Sequence, residues 1–207
     1  MIDLYTWSTP NGRKVSIMLE ELGLEYRTHP INIGKGEQYN DAFVRINPNS
    51  KIPAIVDHQG LDGQPVTLFE SGAILFYLAE KHERFFPAKG HLRYTTMQWL
   101  MFQMGGPGPF FGQVHHYLRS APEPVPYAIE RYSKETRRLY GVMNGHLAEH
   151  EYFAGDYSIA DIAIYPWVAR FEWHKVNLED FPNVKQWFDQ IGTRDAVQRG
   201  MGVPSRN

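Results

Sequence analysis

The sequence predicts two domains, an α/β domain followed by a domain built only of helices. Short strand-like runs alternate with helical periodicity as far as residues 86–90, which carry a proline and a glycine, as is typical of a linker; after them the periodicity is helical throughout. A chain of 207 residues also suits two compact domains better than one small domain. We therefore place the first domain at residues 1–84 and the second at residues 90–203.

The first domain is predicted to contain four strands and three helices. A strand over residues 1–7 leads into the turn Ser8-Thr9-Pro10-Asn11-Gly12, and residues 13–22 then have apolar side chains at helical spacing, with Gly23 ending the helix. A strand over residues 26–33 completes a strand–helix–strand unit, which favours a parallel pair of strands. The remaining elements are predicted as a helix at 38–46, strands at 53–57 and 66–69, and a helix from 71 to about 82.

The second domain is predicted from helical spacing. Residues 91–118 resemble one long helix that is interrupted at 105–109, where the run Gly-Gly-Pro-Gly-Pro predicts a kink or break. That bend serves either packing or a substrate pocket. Ser158, followed three residues later by Asp161, predicts a capping box at the start of a further helix. Other helices are predicted at 127–150 and 182–191, with a proline-rich loop at 121–126 and loosely held residues from about Ser205.

The composition excludes several classes of function. The chain has no cysteine, which excludes disulfide scaffolds, Cys-X-X-Cys redox chemistry and thiolate metal sites, so any sulfur chemistry must use a borrowed sulfur. A formal net charge of −2 gives no electrostatic footprint for nucleic acid or an anionic membrane. No apolar run reaches transmembrane length, and the N-terminus lacks the pattern of a secretory signal. These features lead us to expect a cytoplasmic protein.

The segment from residue 49 to residue 77 carries the most informative chemistry. A basic residue and an X-Pro dipeptide, Lys51-Ile52-Pro53, precede a short apolar strand, and Glu70-Ser71 stands where a second strand passes into an apolar helix. Backbone N–H groups at a helix start bind carboxylates, so this arrangement suits a small extended ligand that ends in a carboxylate. The alternative is an ordinary β-turn-β-α unit in which Ser71 is only the N-cap.

With these motifs, the chain resembles the glutathione transferase superfamily over nearly its whole length. That superfamily joins an N-terminal thioredoxin-like domain to an all-α C-terminal domain, and its glutathione site uses a cis-proline loop and a Glu/Gln-Ser pair, which Ile52-Pro53 and Glu70-Ser71 match. The turn Thr9-Pro10-Asn11-Gly12 lacks the tyrosine or cysteine of most classes and is similar to that of the Nu-class glutathione-dependent disulfide-bond oxidoreductases. The run Pro126-Tyr-Ala-Ile-Glu-Arg131 is specific to that branch.

The resemblance implies a role for each matching residue. Glu70 would meet the γ-glutamyl ammonium of glutathione and Ser71 its carboxylate. Ile52, held by the cis peptide before Pro53, would pair its backbone with the cysteinyl unit. Further roles are implied outside these two motifs: Lys51 and Gln38 would reach the glycyl carboxylate, and Arg131 would meet an acidic end of the ligand from the helical domain. For Gln38, Lys51 and Arg131 the alternative is solvated surface.

The turn after the first strand is the predicted place for the sulfur. Only a thiolate attacks a disulfide, and a free thiol has a pKa of roughly 8.5, so donors near the sulfur are needed. Thr9, Asn11 and the N–H groups of the following helix are of the right kind, and the resemblance assigns Thr9 and Asn11 to the glutathione sulfur. Two alternatives remain open: Thr9 and Asn11 only shape the turn and cap the helix, or Ser8 is the thiol partner.

The dipeptide His115-His116 is not expected to bind a metal. Neighbours in sequence do not share a helix face, and the sequence shows no third ligand. The alternative is that one of the two imidazoles lines the pocket of the second substrate.

Taken with the resemblance, these residues predict a homodimeric enzyme that binds two glutathiones, or one oxidised glutathione, and reduces small disulfides by thiol–disulfide exchange. The rival is a glutathione transferase or peroxidase that acts on electrophiles or hydroperoxides. A third class is a non-catalytic regulator that kept the fold.

Overall fold

The computed structural model describes residues 1–205, and the contacts between its Cα atoms divide the chain into two compact units. The first unit runs from Met1 to Phe86 and includes the segment that begins at Arg194; the second runs from Pro87 to Thr193. The sequence had placed that last segment, as far as residue 203, with the helical domain. The predicted loose residues from Ser205 fall mainly on 206 and 207, which lie outside the described residues.

The first unit is built on a four-stranded mixed sheet with the order β2-β1-β3-β4, where the strands are β1 (Ile2–Thr6), β2 (Tyr26–Pro30), β3 (Ala54–Asp57) and β4 (Val66–Phe69). The predicted parallel pairing of β1 with β2 is confirmed, and β3 pairs antiparallel to both β1 and β4. Every second residue of β1 is buried, as expected for a strand that packs one face on a core.

The helices of the first unit differ from the prediction at two places. The helix predicted at 38–46 is a 3₁₀ turn, Glu37–Tyr39, followed by a single helical turn, because Asn40 between them has extended backbone. A further helix after Arg194 was not predicted at all. The helices are α1 (Pro10–Leu22), α2 (Asp41–Val44), α3 (Ser71–His82) and α9 (Asp195–Met201), with another 3₁₀ turn at Ile33–Lys35.

Helix α9 is attached to α1 by close packing and by polar contacts. Gly200 lies so near α1 that a Cβ atom there would be 2.5 Å from the Ile17 Cα, and the Ser16 hydroxyl donates to the Gly200 carbonyl at 2.7 Å. Arg194 forms a two-pronged ion pair with Glu21 at 2.7 and 2.9 Å. The chain end therefore stabilises the helix that starts at the predicted sulfur site.

The second unit consists of helices and short 3₁₀ turns. The break predicted across residues 105–109 is confined to Gly106, and Pro107, Gly108 and Pro109 belong to the next helix, because proline is tolerated in the first turn of a helix. The helix predicted to reach residue 150 ends at His146. The helices are α4 (His91–Gly105), α5 (Pro107–Arg119), α6 (Pro126–His146), α7 (Ile159–Val168) and α8 (Pro182–Gly192), with 3₁₀ turns at Phe171–His174 and Leu178–Asp180.

The predicted capping box at the start of α7 is confirmed. Ser158 accepts from the Ala160 N–H, and Asp161 accepts from the Ser158 N–H at 3.0 Å. Asp161 is fully buried, and it also accepts from the Trp187 indole at 3.0 Å and from the Phe153 N–H at 3.2 Å. This carboxylate therefore joins α7, α8 and the preceding loop, which supports a structural role for it.

No helix within residues 1–205 combines the length with the apolar character that a membrane-spanning helix needs.

Candidate functional site

The strand register brings three of the predicted segments together where β1 and β4 end and β3 begins. We call this line of strand ends the sheet edge. Tyr5 near the end of β1 pairs with Ala54 at the start of β3, and Ala54 pairs with Phe69 at the end of β4. The turn that follows β1, the loop that precedes β3 and the residues that follow β4 therefore leave the sheet side by side. These are the segments that contain Thr9, Pro53 and Glu70.

The turn after β1 ends in the N-cap of α1. Thr9 has extended backbone, and its hydroxyl oxygen accepts from the Gly12 N–H at 3.3 Å, so its predicted capping role is confirmed. Gly12 is required at its position, because a Cβ atom there would lie 2.4 Å from both the Thr6 hydroxyl and the Trp7 carbonyl. Capping uses the Thr9 oxygen as an acceptor, so it does not use the hydroxyl hydrogen. The two roles considered for Thr9 are therefore compatible.

The loop before β3 has the predicted cis peptide bond between Ile52 and Pro53. The Asn47 side chain holds this loop by two hydrogen bonds to its backbone. Its side chain is only 2% exposed, its amide donates to the Lys51 carbonyl at 2.6 Å, and its carbonyl accepts from the Asn49 N–H at 2.9 Å. The sequence analysis missed Asn47, although an asparagine just before a loop is a familiar turn-forming residue.

The junction of β4 and α3 has unusual backbone geometry. Glu70 is the N-cap of α3 and has a φ of 68°, whereas Ser71 is the first helical residue and is 4% exposed. The alternative in which Ser71 is the N-cap is therefore wrong. A non-glycine residue with positive φ costs on the order of 1–3 kcal/mol, and such residues cluster at ligand sites. This backbone leaves the Glu70 side chain exposed, beside the N–H groups that begin α3.

Lys14 is a second residue that the sequence analysis missed. It is 1% exposed, and its ammonium donates to the Ser71 hydroxyl oxygen at 3.2 Å. Burial lowers the pKa of Lys14 to about 7, against the opposing attraction of Glu70. The sequence held one signal for this burial, because Lys14 precedes Ile17 by three residues and Met18 by four and so falls on the apolar face of α1.

Three further predicted site residues, Gln38, Lys51 and Arg131, make no described side-chain contact with Thr9, Glu70 or Ser71 within residues 1–205. Gln38 is half-buried on the 3₁₀ turn Glu37–Tyr39, and its carbonyl oxygen is buried without a hydrogen-bond partner in residues 1–205. Lys51 is exposed next to the cis peptide. Arg131 is exposed on α6 of the second unit.

The two adjacent histidines of α5 have different surroundings. His116 is exposed, whereas the His115 ring packs 4.4 Å from the Trp173 ring and 5.5 Å from the His174 ring. Burial, with Arg170 and Arg119 nearby, lowers the pKa of His115 to about 4, so this imidazole is neutral at physiological pH. Across residues 1–205, no group of three or more His, Cys, Asp or Glu side chains is arranged to hold a metal ion.

The chain is similar to known proteins along both units. The model of the glutathione S-transferase N-terminal domain matches residues 1–80, and the model of the C-terminal domain matches residues 109–195. The disulfide-bond oxidoreductase YfcG of Escherichia coli strain K12 is 49% identical over 203 residues, which cover 97% of this chain and 94% of the relative. The disulfide-bond oxidoreductase YghU of the same strain is 43% identical over 224 residues, covering 100% of this chain and 76% of the relative.

Solved structures give the same grouping. A glutathione transferase family member from Pseudomonas fluorescens, crystallised with two glutathiones bound, has a TM-score of 0.95 at 44% identity and covers 98% of this chain and 93% of its own. A glutathione transferase from Pseudomonas putida, with one glutathione disulfide bound per subunit, has a TM-score of 0.95 at 44% identity, with coverage of 99% and 92%.

Proposed function

The chain belongs to the glutathione S-transferase superfamily, and from that premise we propose that it is a glutathione-dependent disulfide-bond reductase. The observation that carries the proposal is the sheet edge at which a helix start with Thr9 and Asn11 meets the cis-proline loop and the Glu70-Ser71 junction, in a chain without cysteine. The names of YfcG and YghU support the reaction type. The two Pseudomonas structures support glutathione, reduced or oxidised, as the cosubstrate.

The proposed chemistry is thiol–disulfide exchange in which the ligands supply every sulfur. Two glutathiones and one small disulfide give glutathione disulfide and two thiols, by two successive attacks of a thiolate on a disulfide sulfur. The protein binds glutathione and favours its thiolate. The Thr9 N–H already donates to the Trp7 carbonyl at 2.7 Å, so Thr9 would donate to that thiolate through its hydroxyl hydrogen. Asn11 would donate through its side-chain amide, aided by the positive end of α1.

The proposed contacts with the two ends of glutathione follow the geometry of the sheet edge. Glu70, exposed and held by its positive φ, would accept from the γ-glutamyl ammonium. Ser71 and the first N–H groups of α3 would bind the neighbouring carboxylate. The backbone of Ile52, which precedes the cis peptide, would pair with the cysteinyl unit. A peptide-like ligand would then pair backbone to backbone with the cis-proline loop, as an extended peptide pairs with an exposed strand.

The contacts with the glycyl end are proposed separately. Lys51 is exposed next to Ile52, and Gln38 is half-buried on the 3₁₀ turn Glu37–Tyr39. We assign both to the glycyl carboxylate, with the Gln38 amide as the donor. Arg131 is assigned to an acidic end of the ligand.

We further propose that the protein is a homodimer of the cytoplasm. Support for self-association comes from apolar side chains that α4 and α6 expose on the second unit: Leu92, Tyr94 and Met101 on α4, and Tyr127 and Val142 on α6. Support for the compartment is the need for reduced glutathione as the electron donor. Sedimentation velocity tests the first point, because a monomer at micromolar concentration would contradict it.

A conjugating transferase or a peroxidase is the second candidate, favoured by Ser8, which stands beside the turn where other classes carry a serine.

Rate measurements on one purified preparation separate the two candidate functions. Glutathione-dependent rates are measured with bis(2-hydroxyethyl) disulfide, 1-chloro-2,4-dinitrobenzene and cumene hydroperoxide. The proposal expects the disulfide to have the highest kcat/KM. A higher value for the electrophile or the hydroperoxide would favour the second candidate. Glutathione binding with no turnover of any of the three would point to a regulator.

A further inference from the structure

Lys14 is the most deeply buried charged side chain near the sheet edge, and the chemistry proposed above does not use it. Lysine is almost never fully buried without a partner, because removing an ammonium from water is costly. One partner is the neutral hydroxyl of Ser71, whose oxygen lies 3.2 Å from the ammonium, and the negative charge of Glu70 attracts it. A methionine would fill a similar volume without this cost.

We propose that Lys14 is a positioning residue of the glutathione site, which orients the Ser71 hydroxyl toward the γ-glutamyl carboxylate and takes up a proton when that carboxylate binds. The inference rests on the proposed function, because it uses the same glutathione site.

The orientation follows from the direction of one hydrogen bond. The Lys14 ammonium donates to the Ser71 oxygen, so the Ser71 hydrogen cannot point back along that contact and is directed away from it. Ser71 is the first residue of α3, where N–H groups also face outward. The ammonium thereby sets a donor for an anion at the start of α3, and it adds a positive charge behind that donor.

The proton uptake follows from the charges around Lys14. Burial holds the pKa of Lys14 at about 7, so a substantial fraction is neutral above that pH. A ligand carboxylate placed beyond Ser71 would add a second negative charge to that of Glu70 and raise the pKa of Lys14. At the end of α1, Glu20 and Glu21 are paired with arginines at α9: Glu21 with Arg194 and Glu20 with Arg199. The other charged and titratable groups of the packed elements are Arg13 on α1, Tyr77, Glu80, Lys81 and His82 on α3, and Asp195 at the start of α9.

The test is calorimetric binding of S-methylglutathione, whose blocked sulfur carries no titratable proton. Titrations at pH 8 in HEPES and in Tris give the number of protons taken up, from the difference in observed heat between buffers of different ionisation enthalpy. We expect an uptake of at least about half a proton by the wild type. The affinity should fall between pH 6.5 and 8.5, because protonation becomes costlier as the pH rises.

Two variants assign the proton to Lys14. Lys14→Met should bind roughly tenfold more weakly at pH 6.5, with less uptake than the wild type, and the difference between the two should narrow toward pH 8.5. Any change in protonation of the ligand's γ-glutamyl ammonium on binding is common to the wild type and Lys14→Met, so it cancels when their proton uptakes are compared. Lys14→Arg, which keeps the charge and does not titrate in this range, should lose the extra uptake and serves where Lys14→Met does not fold.

The possible outcomes separate the inference from the proposed function. A wild type that binds S-methylglutathione with the same uptake and pH profile as its folded Lys14 variants would overturn the inference and leave the proposed function intact. A wild type that binds neither glutathione nor S-methylglutathione would overturn both.

Discussion

Among single residues, those of the turn before α1 determine which side chain donates a hydrogen bond to the glutathione sulfur. The Thr9 oxygen is engaged by the Gly12 N–H, so its hydrogen remains available as a donor. Removing one such donor from an oxyanion site costs roughly 10²–10³ in rate. A thiolate is larger and more diffuse, so we expect a loss of roughly tenfold in kcat for disulfide reduction from Thr9→Ala and again from Asn11→Ala.

The matched control for these two variants is Ser8→Ala, measured at saturating glutathione. It should lose less activity than either, and glutathione affinity should change little in all three variants because other residues hold the ends of the ligand. If Ser8→Ala is the impaired enzyme while the other two run near the wild-type rate, a serine-type transferase replaces the assignment made here.

Glu70 combines a proposed binding role with a strained backbone, and two substitutions separate these properties. Both Glu70→Ala and Glu70→Gly should lose several-fold in glutathione affinity, because exposure to solvent weakens a charge-assisted hydrogen bond that would otherwise contribute roughly 1.5–3 kcal/mol. Only glycine adopts a φ of 68° without strain, so Glu70→Gly should exceed Glu70→Ala in free energy of unfolding by about 1 kcal/mol. Calorimetry and urea unfolding measure the two effects. Equal affinity of the wild type and both variants would remove Glu70 from the site.

At the scale of elements, the contact of α9 with α1 depends on one missing side chain. A Cβ atom at Gly200 would lie within 2.8 Å of three atoms of Ile17, two of them backbone. Gly200→Ala should therefore lower the free energy of unfolding by roughly 1–3 kcal/mol, as overpacked interiors do. The matched control is Gly141→Ala in α6, where a Cβ atom meets nothing within 4 Å; this variant should be unchanged or stabilised by about 1 kcal/mol. Equal unfolding midpoints for both variants would contradict the packing described.

The elements that could be predicted from the sequence have strong local signals. The parallel β1–β2 pair, β4, α3 and the capping box of α7 each follow from periodicity, turn residues or the Ser-x-x-Asp spacing. The two elements that were misjudged or missed, α2 and α9, are short helices of four and seven residues, whose stability comes from packing and not from a periodic pattern. Residues of the site divide in the same way. The turn and Glu70-Ser71 are visible as motifs, whereas the cis peptide followed from the resemblance alone. The burial of Lys14 and Asn47 depends on tertiary neighbours.

At the scale of the whole molecule, the buried histidine of the second unit makes stability depend on pH. His174 is 2% exposed, its Nδ1 and the Tyr140 hydroxyl are hydrogen-bonded at 3.2 Å, and burial lowers its pKa to about 3. The neutral ring is favoured in the folded protein, so its contribution is complete above pH 6.5, the unfolded pKa, and is lost as the pH falls toward 3. Between pH 7 and pH 5 the free energy of unfolding should drop by about 2 kcal/mol from this residue.

Glutamine does not titrate, so His174→Gln should lack the drop of about 2 kcal/mol in free energy of unfolding. The difference in free energy of unfolding between the wild type and this variant should therefore shrink by about 2 kcal/mol from pH 7 to pH 5. His116→Gln, at an exposed position of α5, is the control and should keep the wild-type pH profile. Parallel profiles for the wild type and His174→Gln would contradict the assignment of the effect to His174.

The whole molecule is expected to reduce disulfides with no sulfur nucleophile of its own. The direct test is the rate of bis(2-hydroxyethyl) disulfide reduction with either glutathione or N-acetylcysteine as the thiol, at equal thiolate concentrations, with and without the protein. The chain contains no cysteine, and its site is assigned to the ends of glutathione, so acceleration is predicted with glutathione and none with N-acetylcysteine. Equal acceleration with both thiols, or none with glutathione, would contradict the account.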